Sequence, residues 1–323
     1  MGEENKMKNR ALELLRGISA FGIVACHLNL SAMTSAGWNV RALADMNVGL
    51  FAALSGFLMW KNNRNDSWVG YAKKRCVRLL PTYFVWTIGY VIFGFCFDLL
   101  VRHGINPKWY SISYIPSVLF KGNSACHLWF LIALLYSQLF FYVIAKYVKG
   151  WFAIGVSFVG IIVIGYYHDN WYTYYLLRLF VFLVGGYGIR SLLEEKVESN
   201  LQKSMIWFII VAIGIIAHYG FSKTIPTFIR DWLVAIPLLI AFVYMPIRSE
   251  RVGQIAEWLG ATSMGVFLIH PVITAANNIW MPKAFSAPFG AMAVLIDWVV
   301  SWMIAFIIAS IAIRVSWLKR WWS

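Results

Sequence analysis

Glu13, Arg16 and His27 stand in an otherwise apolar run, Glu13 to Leu28, that reads as a membrane-spanning helix. His27 follows Arg16 by eleven positions along the chain. At about 100° per residue that is three turns plus roughly 20°, so both side chains share one face, about 16 Å apart along the axis. Ionisable groups at membrane depth are costly, usually face the protein interior and mark functional pathways. Glu13 precedes Arg16 by three positions, close enough for an ion pair that fixes the guanidinium. A neutral imidazole accepts a proton near neutral pH, so the chemistry on offer at His27 is general-base catalysis. The bland alternative for a lone intramembrane histidine is an ordinary core side chain.

Four other groups carry chemistry-bearing residue types. Lys73, Lys74, Arg75 and Arg78 precede the apolar run that holds Tyr83. Arg75 and Arg78 share a helical face, and two planar guanidiniums suit a polyphosphate; juxtamembrane anchoring is the competing reading. His127 and Trp129 open a later apolar run, where an interfacial belt pair is the alternative. His270 lies deep in the ninth apolar segment, and Pro271 after it frees a backbone carbonyl. Arg178 and Asp297 each fall inside a span and need a partner or a wet cavity; pairing with one another is one solution. Cys26 and Cys126 adjoin His27 and His127, but neighbouring residues on a helix point about 100° apart, so no metal site is expected. The four cysteines make no disulfide framework. His103, His168 and His218 fall near segment ends and carry no assignable chemistry.

The elements that must position these groups follow from composition. Only 13% of the 323 residues are charged and mean hydropathy is +0.67, against about 25% charged residues in soluble domains. Lipid offers backbone polar groups no partner, so an all-α integral membrane protein is expected; the apolar runs do not alternate as barrel strands do. About ten transmembrane helices are expected, near 11–31, 46–60, 79–100, 127–145, 151–167, 171–192, 205–222, 231–247, 253–276 and 289–315. The second is short and carries small residues suited to close packing. With this partition twenty Lys and Arg fall on one side and seven on the other, which places both termini in the cytoplasm. The net charge of +14 therefore belongs to short loops and not to a nucleic-acid surface. The outer segment 101–126, with Pro107 and Pro116, is expected to fold over the outer mouth. No cleavable leader, linker or internal repeat is expected.

In this order the stretches resemble the membrane-bound acyltransferase-3 family across nearly the whole chain. The resemblance rests on Glu13-x-x-Arg16, the spacing to His27, Leu54-Ser55-Gly56-Phe57, Arg75-x-x-Arg78 with Leu80-Pro81-x-Tyr83, His127-x-Trp129 and Leu268-Ile269-His270. It implies a single membrane-embedded domain over 1–323 with no soluble extension, in the cytoplasmic membrane. The implied reaction moves an acyl group, often acetyl from acetyl-CoA, onto a hydroxyl of an extracytoplasmic glycan or lipid-linked sugar. By the same resemblance His27 is the base, Arg16 with Glu13 orients or binds the donor, and Arg75, Arg78, Lys74 and Tyr83 hold the coenzyme. His127, Trp129, His270 and Arg178 would support substrate. Arg178 and Asp297 motivate a rival reading as a small-solute permease, akin to the L-serine-supplying membrane half of vancomycin-resistance serine racemases.

Overall fold

A computed structural model describes residues 3–28, 33–42, 44–59, 67–100, 103–104, 106, 111–112, 114–123, 125, 127–145, 147–166, 171–193, 199–222, 224–285 and 289–322. Residues 29–31 of the expected first span lie outside these, as do Trp60, Pro107, Ser124, Cys126, Tyr167 and His168. So do Lys61, Arg64, Arg102, Lys108, Lys146, Lys196 and Lys223 from the charge partition.

The described residues form helices throughout: α1 Glu3–Cys26, α2 Ser35–Ala42, α3 Met46–Met59, α4 Trp68–Leu100, α5 Tyr114–Lys121, α6 Trp129–Ile144, α7 Gly150–Tyr166, α8 Trp171–Leu193, α9 Leu201–Gly220, α10 Thr227–Tyr244, α11 Glu250–Ala284, α12 Ala291–Ala312 and α13 Ser316–Trp322. Among these residues the one extended pairing is an isolated bridge between Met33 and Phe289. The protein is all-α. Six helices, within α4 and α8 to α12, are long and apolar enough to cross a bilayer. Shorter apolar helices occupy Met46–Met59, Trp129–Val143 and Gly150–Tyr166. In α1 the charges of Arg10, Glu13 and Arg16 interrupt the apolar pattern.

Every expected span overlaps a helix, but several boundaries move. Helix α4 begins at Trp68, not residue 79, so Lys73, Lys74, Arg75 and Arg78 ride on the helix and continue its face below the apolar stretch. Their long stems let the cations reach water while the helix stays intact. Helix α11 continues through Pro271 as far as Ala284. The last apolar run ends at Ala312, and a separate short helix, α13, follows. The outer segment contains α5, tied to α4 because the buried Tyr83 hydroxyl donates to the Val118 carbonyl. Gly122, at φ +70°, closes that segment where a side chain would strike the Trp129 backbone.

Two glycine-mediated crossings set the frame. Along α11, Gly253 seats the Arg10 guanidinium and Gly260 seats Glu13, while Gly17 of α1 abuts Leu259. The most extensive helix pair is accordingly α1 with α11. Arg10 pins its lower end, at 2.6 Å from Glu250 and 2.8 Å from Glu257. In α3 the small residues anticipated for close packing do so: Gly56 lies against the Leu183 backbone, and Gly186 of α8 against Ala53.

Candidate functional site

The α1–α11 seam carries two histidines toward a third. His27 sits in the turn closing α1, where its N–H donates to the Val24 carbonyl at 3.2 Å. His127 lies in the turn that opens α6, and His270 lies on α11. The three rings converge, with centroids 5.0 Å apart for His27–His270, 5.5 Å for His127–His270 and 6.3 Å for His27–His127. His127 is 1% exposed and His270 fully buried. His270 Nδ1 stands 3.1 Å from the Val266 carbonyl, so that nitrogen carries its proton and Nε2 presents a lone pair. Nε2 of His270 and both ring nitrogens of His127 are buried without a hydrogen-bond partner. Among the described residues no three His, Cys, Asp or Glu side chains are placed to hold a metal ion.

Tyr90 of α4 closes the cluster. Its ring lies 5.0 Å from His127, and its hydroxyl donates at 2.7 Å to the Leu268 carbonyl. That carbonyl adjoins the one of Phe267, which Pro271 deprives of its helical donor. Phe267 in turn packs 5.2 Å from His127 and 5.4 Å from Phe130.

On the other side of these two phenylalanines is a cavity of about 270 Å³. Its wall contains Phe130 and Phe267 together with Arg16, Arg75 and Arg78. Arg16 is held by Glu13 at 2.9 Å, the ion pair expected from the spacing. Arg75 lies over the Tyr71 ring at 5.1 Å, and Tyr71 stacks on Tyr142 of α6 at 4.3 Å. Among the described residues neither Arg75 nor Arg78 forms an ion pair with a carboxylate. Three guanidiniums against one carboxylate leave this end of the cavity with an excess of positive charge. The volume falls just under the usual 300–1,000 Å³ for ligand pockets, which suits a slender arm and not a nucleotide.

Other residues singled out in the sequence lie elsewhere. Lys74 is exposed and does not line the cavity, and Tyr83 is buried on Val118 of α5. Trp129 packs 5.0 Å from Tyr175 and 6.2 Å from Phe130, on the far side of α6 from the cavity wall. Arg178 does not pair with Asp297. Its partners are Asp231 at 2.7 Å and the Asp45 carbonyl at 2.9 Å, and it lies over Phe228 at 4.0 Å. Asp297 instead accepts from Asn277 at 2.6 Å and Ser301 at 3.2 Å. The spacing of Arg178 and Asp297 in the sequence contained nothing that favoured one carboxylate over the other.

Over residues 9–321 the chain matches the acyltransferase-3 family model, described as an acyltransferase domain. The chain belongs to that family. No curated protein and no solved structure matches it. As a family member with six spanning-length apolar helices it is a multi-pass membrane acyltransferase in general type. The family motifs all lie on α1, α3, α4, α6 and α11 or the turns next to them. Tyr90, Phe267 and Gln138 fall outside the motif residues singled out, although all three border the site. Gln138, a lone amide in the apolar run of α6, carried the only legible signal among them.

Proposed function

We propose that the protein transfers an acyl group, acetyl by preference, from a cytoplasmic acyl-CoA to a hydroxyl of an extracytoplasmic glycan or lipid-linked sugar. Arg75 and Arg78, with Arg16, hold the anionic nucleotide at the inner mouth, and the thioester arm enters the cavity. His27 takes the proton from the acceptor hydroxyl as its oxygen attacks the thioester carbonyl. The carbon–sulfur bond then breaks, and the CoA thiolate leaves to be protonated. His127 and His270 flank the reacting atoms and supply polar contacts in an otherwise apolar enclosure. On this reading the protein resides in the cytoplasmic membrane with both termini inside.

The observation that supports this reading most is a single cavity wall that joins three guanidiniums to the phenylalanines packed on the histidine cluster. Thermal unfolding of the purified protein with and without CoA tests it. A ligand at 100 times its Kd stabilises by about 2.7 kcal/mol. That gain is expected with CoA, and it is expected to vanish in Arg75→Ala/Arg78→Ala while the unliganded midpoint stays put. An unchanged midpoint at saturating CoA would overturn the proposal.

A further inference from the structure

Gln138 lines the cavity from α6, on the same face as Phe130 and Leu134 at four-residue intervals. It is 3% exposed, and its amide oxygen has no hydrogen-bond partner. The other polar wall group nearby, Ser263, already donates to the Gly260 carbonyl at 2.7 Å. Buried polar atoms are nearly always satisfied, and an orphan beside an empty space calls for a ligand. A carboxamide offers one acceptor and one donor in a plane, and half a turn about its last bond exchanges them. Its orphan oxygen needs a donor, and a secondary amide supplies one while offering its own carbonyl to the carboxamide N–H.

We propose that Gln138 is the amide-recognition residue of the cavity and that it binds the donor's pantetheine arm at the secondary amide farther from sulfur. This inference rests on the acyl-CoA reading above. Depth selects the amide. Gln138 stands two turns from Phe130, about 12 Å along α6, and Phe130 touches the aromatic partition that backs the histidines. With the sulfur at the Phe130–Phe267 end of the cavity, the amide next to it lies too near Phe130 to meet Gln138. The second amide, toward the phosphates, is then the one within reach of Gln138.

The test uses the full chain in detergent, with CoA and a CoA analogue bearing an ester in place of that farther amide. Titration calorimetry gives Kd for both ligands on the wild type, Gln138→Leu and Gln138→Met. The wild type is expected to bind the ester analogue about tenfold more weakly than CoA, the scale of one hydrogen bond. Gln138→Leu is expected to weaken CoA by a similar factor and to leave the analogue unchanged. Equal CoA affinity in wild type and variant, or an equal loss for both ligands, overturns the inference and leaves the acyl-CoA reading standing. No difference between the ligands on the wild type overturns it without any variant, so a misfolded Gln138→Leu protein does not shelter it. Failure of the wild type to bind CoA at all removes both claims together.

Discussion

Two regions bury polar side chains at membrane depth, and they differ in what lies beside them. In the first, between α8, α9 and α10, the charged groups are held by one another and by backbone carbonyls, with Arg178 Nε, Asp231 Oδ1 and His218 Nε2 left without a hydrogen-bond partner. Arg178 meets Asp231 at 2.7 Å, and Asp231 stands 3.7 Å from His218. Arg230 donates to the His218 carbonyl and to the Ile225 carbonyl at 2.9 Å. Neither Arg178 nor Asp231 lines the cavity beside Arg16, Arg75 and Arg78. In the second, between α1, α4, α6 and α11, cations outnumber carboxylates, the histidines keep unused nitrogens, and a cavity runs alongside. The first region spends its polar groups on holding helices together. The second leaves them for something that enters. A buried arginine is thus a poor indicator of function until its partner is known.

Substitutions that hit one region and spare the other sharpen this contrast. The largest effect is expected at His27. Replacement by Ala should lower acyl transfer by about 10²–10⁴-fold, measured with saturating acyl-CoA in proteoliposomes, with no change in thermal midpoint. Next comes Asp231→Leu, which leaves Arg178 uncompensated and should cost about 3–5 kcal/mol. Adding Arg178→Met should restore most of the thermal midpoint, with CoA affinity unaffected throughout. Failure of the double variant to recover would mean that this region does more than pair charges. Gly186→Val places a branched side chain against the Ala53 backbone and should cost about 1–3 kcal/mol of stability by overpacking. The smallest effect is expected for Tyr90→Phe, which removes the hydrogen bond to the Leu268 carbonyl. A loss of about 0.5–1.5 kcal/mol is expected in the same melts, together with a change in transfer rate because Tyr90 packs on His127.

What the sequence made legible follows how locally each feature is encoded. The ion pair of Glu13 with Arg16 needed only a three-residue spacing on one helix, and it forms as expected. Long apolar runs marked the helices, since a bilayer leaves them no other backbone solution. The shared helical face of Arg75 and Arg78 was legible from their spacing, but the start of α4 at Trp68 was not, because the polar stretch before Leu79 adds no apolar run. Partners distant in the chain were equally hidden. Asp231 lies 53 positions from Arg178, and no periodicity connects them. His27, His127 and His270 were each conspicuous, yet their convergence depends on how α1 crosses α11 and where the turn before α6 falls.

That crossing has a mechanical consequence. Glycines 253 and 260 let Arg10 and Glu13 sink into α11, so the two longest-lever carriers of imidazole are bolted together along most of their length. His27 and His270 are therefore carried by the two helices that pack most extensively on one another. Any widening beside the histidines falls more readily to the facing wall, where α4 and α6 meet far more sparingly.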